Sequence, residues 1–388
     1  MILGVLKDIK HGENRVMLTP LEVVTIIENG HQVYVQSGCG QAAGFSDQAY
    51  QKAGAELYGT AEEIYRQCDF VVKVKEIEES EYELLREGQI VYCCIHPAAH
   101  PAEVQALLKK KVTAITAEDS HRNGSPNCEA AGKQGALFGL ESMLTINGGK
   151  GKFVSGFAGA PGMNVLILGG GIVGRGALEI LHDLGASITL MDVNLGVMQD
   201  IRRTYGNDIK TLYCTRESIQ QVLPTTDMVI NCVRWPKERK DFLITKEMLN
   251  LMEPGSVLVD ISNDDPGAIE SSHETTHDNP RYVVNGVVHY CVSNIPSAVA
   301  HSTSVVIAAE ALPMFLNIMN HGLAEACVTD GYIRRSLTTY NGILTHEETS
   351  AIQGIPWMRP EDALGISGRN LAPAPPATAT RSTNFVKA

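Results

Sequence analysis

Two groups of residues in this sequence are placed to do chemistry, and the chemistry differs. The first group is polar and sits at the ends of short apolar runs. Arg15 follows the run Ile2–Leu6, within Gly12-Glu-Asn-Arg15-Val. Lys73 and Lys75 alternate along Val71-Val-Lys73-Val-Lys75-Glu76. His96 closes Ile90-Val-Tyr-Cys-Cys-Ile-His96, and Glu118 follows Val112–Thr116. A small carboxylate is held by Lys or Arg, bidentately where Arg does it. Moving a hydride from an amine or alcohol carbon also requires a proton transfer, and imidazole titrates near neutral pH. Arg15, Lys75 and His96, with a later acid, supply both needs. Strand alternation puts both lysines on one face, and Lys73 reads as a solvated surface lysine.

The second group is almost devoid of side chains. Gly169-Gly-Gly171-Ile172-Val173-Gly174 follows the apolar run Asn164–Leu168 and opens a helix that reaches Leu184. A second run, Ser187–Met191, ends at Asp192, near the roughly 20-residue spacing of a dinucleotide fold. Gly169 permits the tight turn, Gly171 lets backbone N–H groups approach a pyrophosphate, and Gly174 lets helix and strand lie close. The helix N-terminus favours the phosphate charge. Asp192 accepts hydrogen bonds from ribose hydroxyls and repels a 2′-phosphate, so NAD is favoured over NADP.

Elements must position these groups. Strands are expected at Ile2–Leu6, Gln32–Gln36, Phe70–Val74, Ile90–Cys94 and Val112–Thr116, with helices such as Pro20–Glu28 and Ala102–Lys109 between them. Thr60-Ala-Glu-Glu63 reads as a capping box. A long helix is expected over Glu129–Leu144, then a flexible break at Gly148–Lys152. A second series comes at Asn164–Leu168, Ser187–Met191, Met228–Cys232 and Ser256–Ile261, and a helix at Thr303–Leu316. Such βα alternation implies an α/β fold of two Rossmann-like domains with parallel sheets.

Composition excludes other classes. At 388 residues the chain suits two domains, and 44% hydrophobic content suits a full core. A net charge of -12 argues against nucleic acid or an anionic membrane as the main partner. The nine cysteines show no metal-ligand spacing, so no metal is expected, and free thiols suit a reducing cytoplasm. Charge appears too early after Met1 for a signal peptide. The longest apolar stretch, Val305–Met319, contains Glu310 and Pro313, falls short of the roughly 20 residues of a membrane span, and reads as a core helix.

Taken together, these segments resemble the alanine dehydrogenase and transhydrogenase alpha-subunit family to about residue 350. Gly12-Glu-Asn-Arg-Val-Met-Leu-Thr-Pro20 is similar to its opening signature and Val72-Lys-Val-Lys-Glu76 to its lysine motif. Thr275-Thr-His-Asp-Asn-Pro280, Val287-Val-His-Tyr290, Asn294-Ile-Pro296 and Thr339-Tyr-Asn-Gly342 are similar to later segments. The resemblance implies NAD-linked oxidation of L-alanine to pyruvate and ammonia, reversibly, on a small amino acid or 2-oxo acid. It implies that Arg15 and Lys75 hold the substrate carboxylate, that His96 is the acid/base, and that Asp264 assists the imine or carbinolamine steps. It places Cys128, where the family has a Ser, and Asn294 against the nucleotide, with Gly169, Gly171, Ile172, Val173, Gly174 and Asp192. It further implies a homo-oligomer, a hexamer.

With family motifs on both flanks, the nucleotide domain is expected at 136–302. It is inserted into a substrate domain of 1–135 and 303–369, with a cleft between them and a disordered tail at 370–388. The sequence departs from the family where Cys94-Ile-His96-Pro97 replaces Tyr-Leu-His-Leu, and in the charged loop Arg234–Lys240. Gly156-Phe-Ala-Gly-Ala160 and Ile230-Asn-Cys232 resemble saccharopine dehydrogenases. An opine-type condensation of a 2-oxo acid with an amine is therefore a second reading, and a non-catalytic nucleotide-binding subunit a third.

Overall fold

The computed structural model describes residues 1–236, 239–263 and 267–375. The chain forms two compact units, one of residues 1–124 with 300–375, the other of 125–299. It first lays down β1 (Ile2–Val5), β2 (Gln32–Gln36), β3 (Glu56–Tyr58), β4 (Phe70–Lys75), β5 (Ile90–Cys94) and β6 (Thr113–Thr116). The second unit comes next with β7 (Asn164–Leu168), β8 (Ser187–Asp192), β9 (Ile209–Tyr213), β10 (Met228–Asn231), β11 (Val257–Asp260), β12 (Arg281–Val284) and β13 (Val287–Tyr290). Then β14 (Leu337–Tyr340) and β15 (Ile343–Leu344) complete the first unit.

The first sheet has the order β15-β14-β6-β5-β4-β1-β2-β3 and the second β12-β13-β11-β10-β7-β8-β9. β1 to β6 pair in parallel, as do β7 to β11 with β13. Only edge strands run antiparallel: β14 on β6, β15 on β14, and β12 on β13. Both sheets wind outward for three strands, then cross to the other side of the first strand. Their order reverses between β1 and β4 and between β7 and β10. In open α/β sheets the ligand crevice lies at that reversal, outside the C-terminal strand ends. The fold is thus α/β with two Rossmann-like sheets.

The long apolar runs of the sequence are the central strands. β3, β9, β12, β13, β14 and β15 are not among the expected strands; the edge strands β3, β9, β12 and β15 escape notice because half-exposed strands need no continuous apolar run. The core helix extends over Ala300–His321, beyond the expected Thr303–Leu316, and carries Pro313 within it. Residues Ile295–His321 are long and apolar enough to cross a membrane. Half of the apolar window is buried, however, and Phe315 packs edge-on against Phe70 and Tyr92. Thr60 and Glu63 form the capping box read from the sequence, and Thr19 and Glu22 a second one ahead of Pro20.

Three expectations change. The helix over Pro126–Ser142 lies wholly in the second unit, held there by its glycines. A Cβ on Gly132 would stand 1.9 Å from the Val173 carbonyl oxygen, and one on Gly176 2.7 Å from that of Glu129. The segment Gly148–Lys152 is pinned rather than loose. Gly151 N–H donates to the Met143 carbonyl at 2.8 Å, and Lys150 and Lys152 both pair with Asp227. The tail is ordered through residue 375: Ala372 N–H donates to the Val328 carbonyl at 2.8 Å, and Arg334 grips the Ala372 carbonyl at 2.5 Å. The remainder of the tail lies outside the described residues.

Candidate active site

The loop after β1 is tied to the end of β4 by Asp8. Its carboxylate accepts the Lys75 backbone N–H at 2.8 Å and the Lys10 N–H at 3.2 Å. Burial raises the Asp8 pKa, with Lys73 opposing that shift. The same loop delivers Arg15, which is buried. Glu13 takes the Nε/Nη2 edge of its guanidinium, at 2.8 and 2.6 Å. Burial disfavours that charge, but Glu13 more than offsets this and holds the guanidinium pKa above its ordinary value. Arg15 cannot offer this edge to a second carboxylate while Glu13 holds it.

The two lysines of β4 part company. The β4–β5 register shifts between Val72 and Lys75, and such an irregularity re-aims side chains. Lys73 is 1% exposed and donates to Glu81 at 2.6 Å, while the Tyr65 hydroxyl donates to the same carboxylate at 3.1 Å. The solvated reading of Lys73 is therefore overturned: a buried ammonium needs a paired carboxylate, and Glu81 supplies it. Lys75 is half-buried, and its ammonium has no hydrogen-bond partner among the described residues.

His96 stands just past β5 with a half-exposed ring and φ of 47°, the left-handed region that non-glycine residues rarely occupy. Its backbone N–H donates to Glu118 Oε1, and its Nδ1 lies 3.3 Å from the same oxygen. Glu118 Oε2 is buried without a hydrogen-bond partner among the described residues. Asp8, Lys75, His96 and Glu118 thus stand at or just past the ends of β1, β4, β5 and β6, at the C-terminal edge of one sheet. Sequence reading missed Asp8 and Glu13. Their short spacing from Arg15 was the available signal.

In the second unit, β7 runs into Gly169 at φ of 90° and a helix over Ile172–Asp183. A Cβ on Gly174 would stand 1.9 Å from the Gly169 carbonyl oxygen, so helix and strand touch there. A Cβ on Gly171 would meet nothing within 4 Å, which leaves open space at the helix N-terminus. Ile172 and Val173 are half-buried on its first turn. Asp192 ends β8 and accepts the Gly170 N–H at 2.7 Å and the Asn194 N–H at 2.8 Å. These residues fit a dinucleotide: an exposed, side-chain-free helix start for the pyrophosphate and a fixed carboxylate for the ribose.

Cys128 lies in the first turn of the helix Pro126–Ser142, its N–H donating to Ser125 Oγ, and burial pushes its thiol pKa up. It is therefore a neutral thiol. Asn294 adopts φ of 63° and its carbonyl accepts the Ser297 N–H at 3.0 Å. Asp264 lies outside the described residues. Near it in sequence, buried Asp260 at the end of β11 accepts the Asn231 amide at 2.8 Å. The Arg234–Lys240 loop is partly described, with Arg239 stacked over the Trp235 ring and paired with Asp241.

Comparison with known proteins divides the chain differently, the second family match running on past residue 299 into the first unit. Residues 4–129 match the family described as alanine dehydrogenase/PNT, N-terminal domain, and residues 136–347 its C-terminal domain. An alanine dehydrogenase of Methanococcus maripaludis is 37% identical over 371 residues, covering 94% of this chain and 100% of that protein. One of Bacillus subtilis is also 37% identical, covering 94% and 98%. A solved structure described as L-alanine dehydrogenase has a TM-score of 0.86 at 33% identity, covering 91% of this chain and 99% of the other.

Proposed function

We infer the function from one premise: this chain belongs to the alanine dehydrogenase/PNT family. It is an NAD-dependent oxidoreductase acting on an amino donor. L-alanine, NAD and water become pyruvate, ammonium, NADH and a proton, and the reaction is reversible. One observation carries the residue assignment: Lys75, with an open ammonium, and His96, backed by Glu118, stand at neighbouring strand ends of one sheet.

Lys75 holds the substrate carboxylate as a point charge. Arg15, whose Nε/Nη2 edge is held by Glu13, is the second candidate partner for that carboxylate. His96 moves the proton. With Glu118 Oε1 3.3 Å from Nδ1, the ring is turned to present Nε2 to the substrate amine or to water. Glu118 is an orienting group. Asp264 assists the imine and carbinolamine steps. Gly169, Gly171, Ile172, Val173 and Gly174 would hold the NAD pyrophosphate, Asp192 its ribose, and Cys128 and Asn294 would flank the nucleotide. When bound, NAD supplies the hydride acceptor.

The unit of residues 125–299 is then the nucleotide domain, inserted into a substrate domain. Neutralisation of Arg239 by Asp241 weakens the case for that loop as an extra carboxylate anchor, and with it the opine reading. The nine free thiols support a cytoplasmic setting, and light scattering tests the hexamer. The function is tested by following NADH with L-alanine, and in reverse with pyruvate plus ammonium, against other amino acids and against pairs of a 2-oxo acid and an amino acid. Faster turnover with such a pair than with alanine overturns the assignment.

A further inference from the structure

The turn at His96 is strained, and the strain has an identifiable support. A non-glycine residue at φ of 47° costs on the order of 1–3 kcal/mol and persists only where its surroundings over-determine it. Pro97 adds a further restriction, since its ring crowds the residue before it. Four contacts oppose this. Glu118 accepts the His96 N–H, and Ala99 N–H donates to the His96 carbonyl at 2.9 Å. His100 Nδ1 lies 2.8 Å from the Ile95 carbonyl. The fourth contact is Gln353, at the end of the helix Glu347–Gln353. Its Nε2 lies 2.7 Å from the Pro97 carbonyl oxygen and 3.4 Å from that of Ala98.

Two features single out Gln353. Its amide faces two carbonyl oxygens, which fixes the NH2 group on that side: an oxygen there would meet two acceptors. Its Oε1 is buried with no hydrogen-bond partner among the described residues. A buried acceptor left unmade costs about 1–3 kcal/mol, which an apolar side chain of the same shape avoids. Filling space does not explain an amide here, whereas donation to the His96–Pro97 turn does.

We propose that Gln353 is a positioning residue for the reaction: by donating to the Pro97 carbonyl it holds His96 in the left-handed turn that keeps Nδ1 against Glu118. This rests on the role given to His96 above. The test uses Gln353→Met, which keeps length and loses the donor, in the full chain and in a His96→Ala background. Turnover, KM for alanine and for NAD, and melting temperature are measured. In the parent background Gln353→Met lowers kcat by about 10- to 100-fold, the scale of a small misplacement of a reacting group, and leaves KM for NAD unchanged. In the His96→Ala background it changes the residual rate by less than about twofold, because nothing is left to position.

A kcat within about twofold of the parent overturns the proposal, and so does an equal loss in both backgrounds, which marks general damage. Should Gln353→Met not fold, Gln353→Asn keeps an amide too short to reach. It must then show the same loss of kcat in the parent background alone, and parent-level kcat overturns the proposal. Near-normal turnover of His96→Ala itself overturns the reading of His96, and this proposal with it. A dead His96→Ala beside a fully active Gln353→Met overturns this proposal alone.

Discussion

The two sheets of this protein share one winding and differ in the segment that leaves the first strand of each. After β7 the chain takes three glycines, Gly169–Gly171, before its helix begins; after β1 it takes a long charged loop to Thr19 before the helix Pro20–Glu28. Both turns are tied to the next strand by one hydrogen bond of the same kind. Gly170 N–H donates to Asp192 at the end of β8, at 2.7 Å, and Lys7 N–H to Gln36 at the end of β2, at 2.9 Å. The common topology sets where a ligand can sit. The loops set which ligand. A bare turn exposes a helix N-terminus to phosphate, whereas the long loop carries Asp8, Glu13 and Arg15 to the same strand edge.

The largest expected effects separate chemistry from nucleotide binding and a structural lysine from a functional one. His96→Ala should lower turnover by about 10²-fold or more, the scale of general acid–base loss, while NAD affinity measured by calorimetry stays unchanged. Equal loss of both would break the division between the sheets. Lys73→Met leaves Glu81 buried and unpaired, so urea unfolding should show roughly 3–5 kcal/mol less stability. Lys75→Met removes no hydrogen bond made by its ammonium and should alter stability by only about 0.5 kcal/mol, while KM for alanine rises and kcat falls. Loss of stability in Lys75→Met with unchanged KM would exchange the two roles.

The two units should also answer pH in opposite senses. In the first, burial raises the Glu103 pKa to about 7, and its neighbour His100, with Nδ1 3.6 Å from the carboxylate, is raised as well. A carboxyl pKa raised in the folded state means stability that is present below pH 4.5 and is lost as pH climbs to about 7. In the second, burial lowers His289 to about 4, so its contribution is present above pH 6.5 and is lost as pH falls towards 4. Each is on the order of 3 kcal/mol. Urea unfolding at pH 5 and 8 should show Glu103→Gln gaining relative to the parent at the higher pH. His289→Gln should gain at the lower pH, and a shift of either in the reverse sense contradicts the account.

The features legible in the sequence were those that depend on neighbours along the chain. The central strands announced themselves as unbroken apolar runs because both faces are covered. The glycine turn and Thr60 cap are likewise local. Lys73 was misread as solvated because a lone lysine usually is, and the Glu81 that pairs with its buried ammonium lies eight residues on, beyond β4. Gln353 was not read at all: the turn it supports lies 256 residues away. The glycines 132, 135 and 139 carried a signal that went unused. Spaced three and four apart, they mark one helix face, and each has a neighbour too close for a side chain.

The smallest expected effect bears most directly on why Asp192 and Gln36 differ. Both accept the N–H that comes after the first strand, so an amide suffices for that bond. The charge of Asp192 must serve something else, and discrimination against a 2′-phosphate is what a carboxylate supplies there and an amide does not. Asp192→Asn keeps an acceptor for Gly170, removes the charge and gives up the second acceptor, which takes the Asn194 N–H. The ratio of kcat/KM for NAD over NADP should then fall by about tenfold, roughly 1.4 kcal/mol, through better use of NADP as well as poorer use of NAD, with melting temperature little changed. Should the ratio stay the same while stability drops, Asp192 is a turn acceptor like Gln36, and cofactor choice lies elsewhere in the second unit.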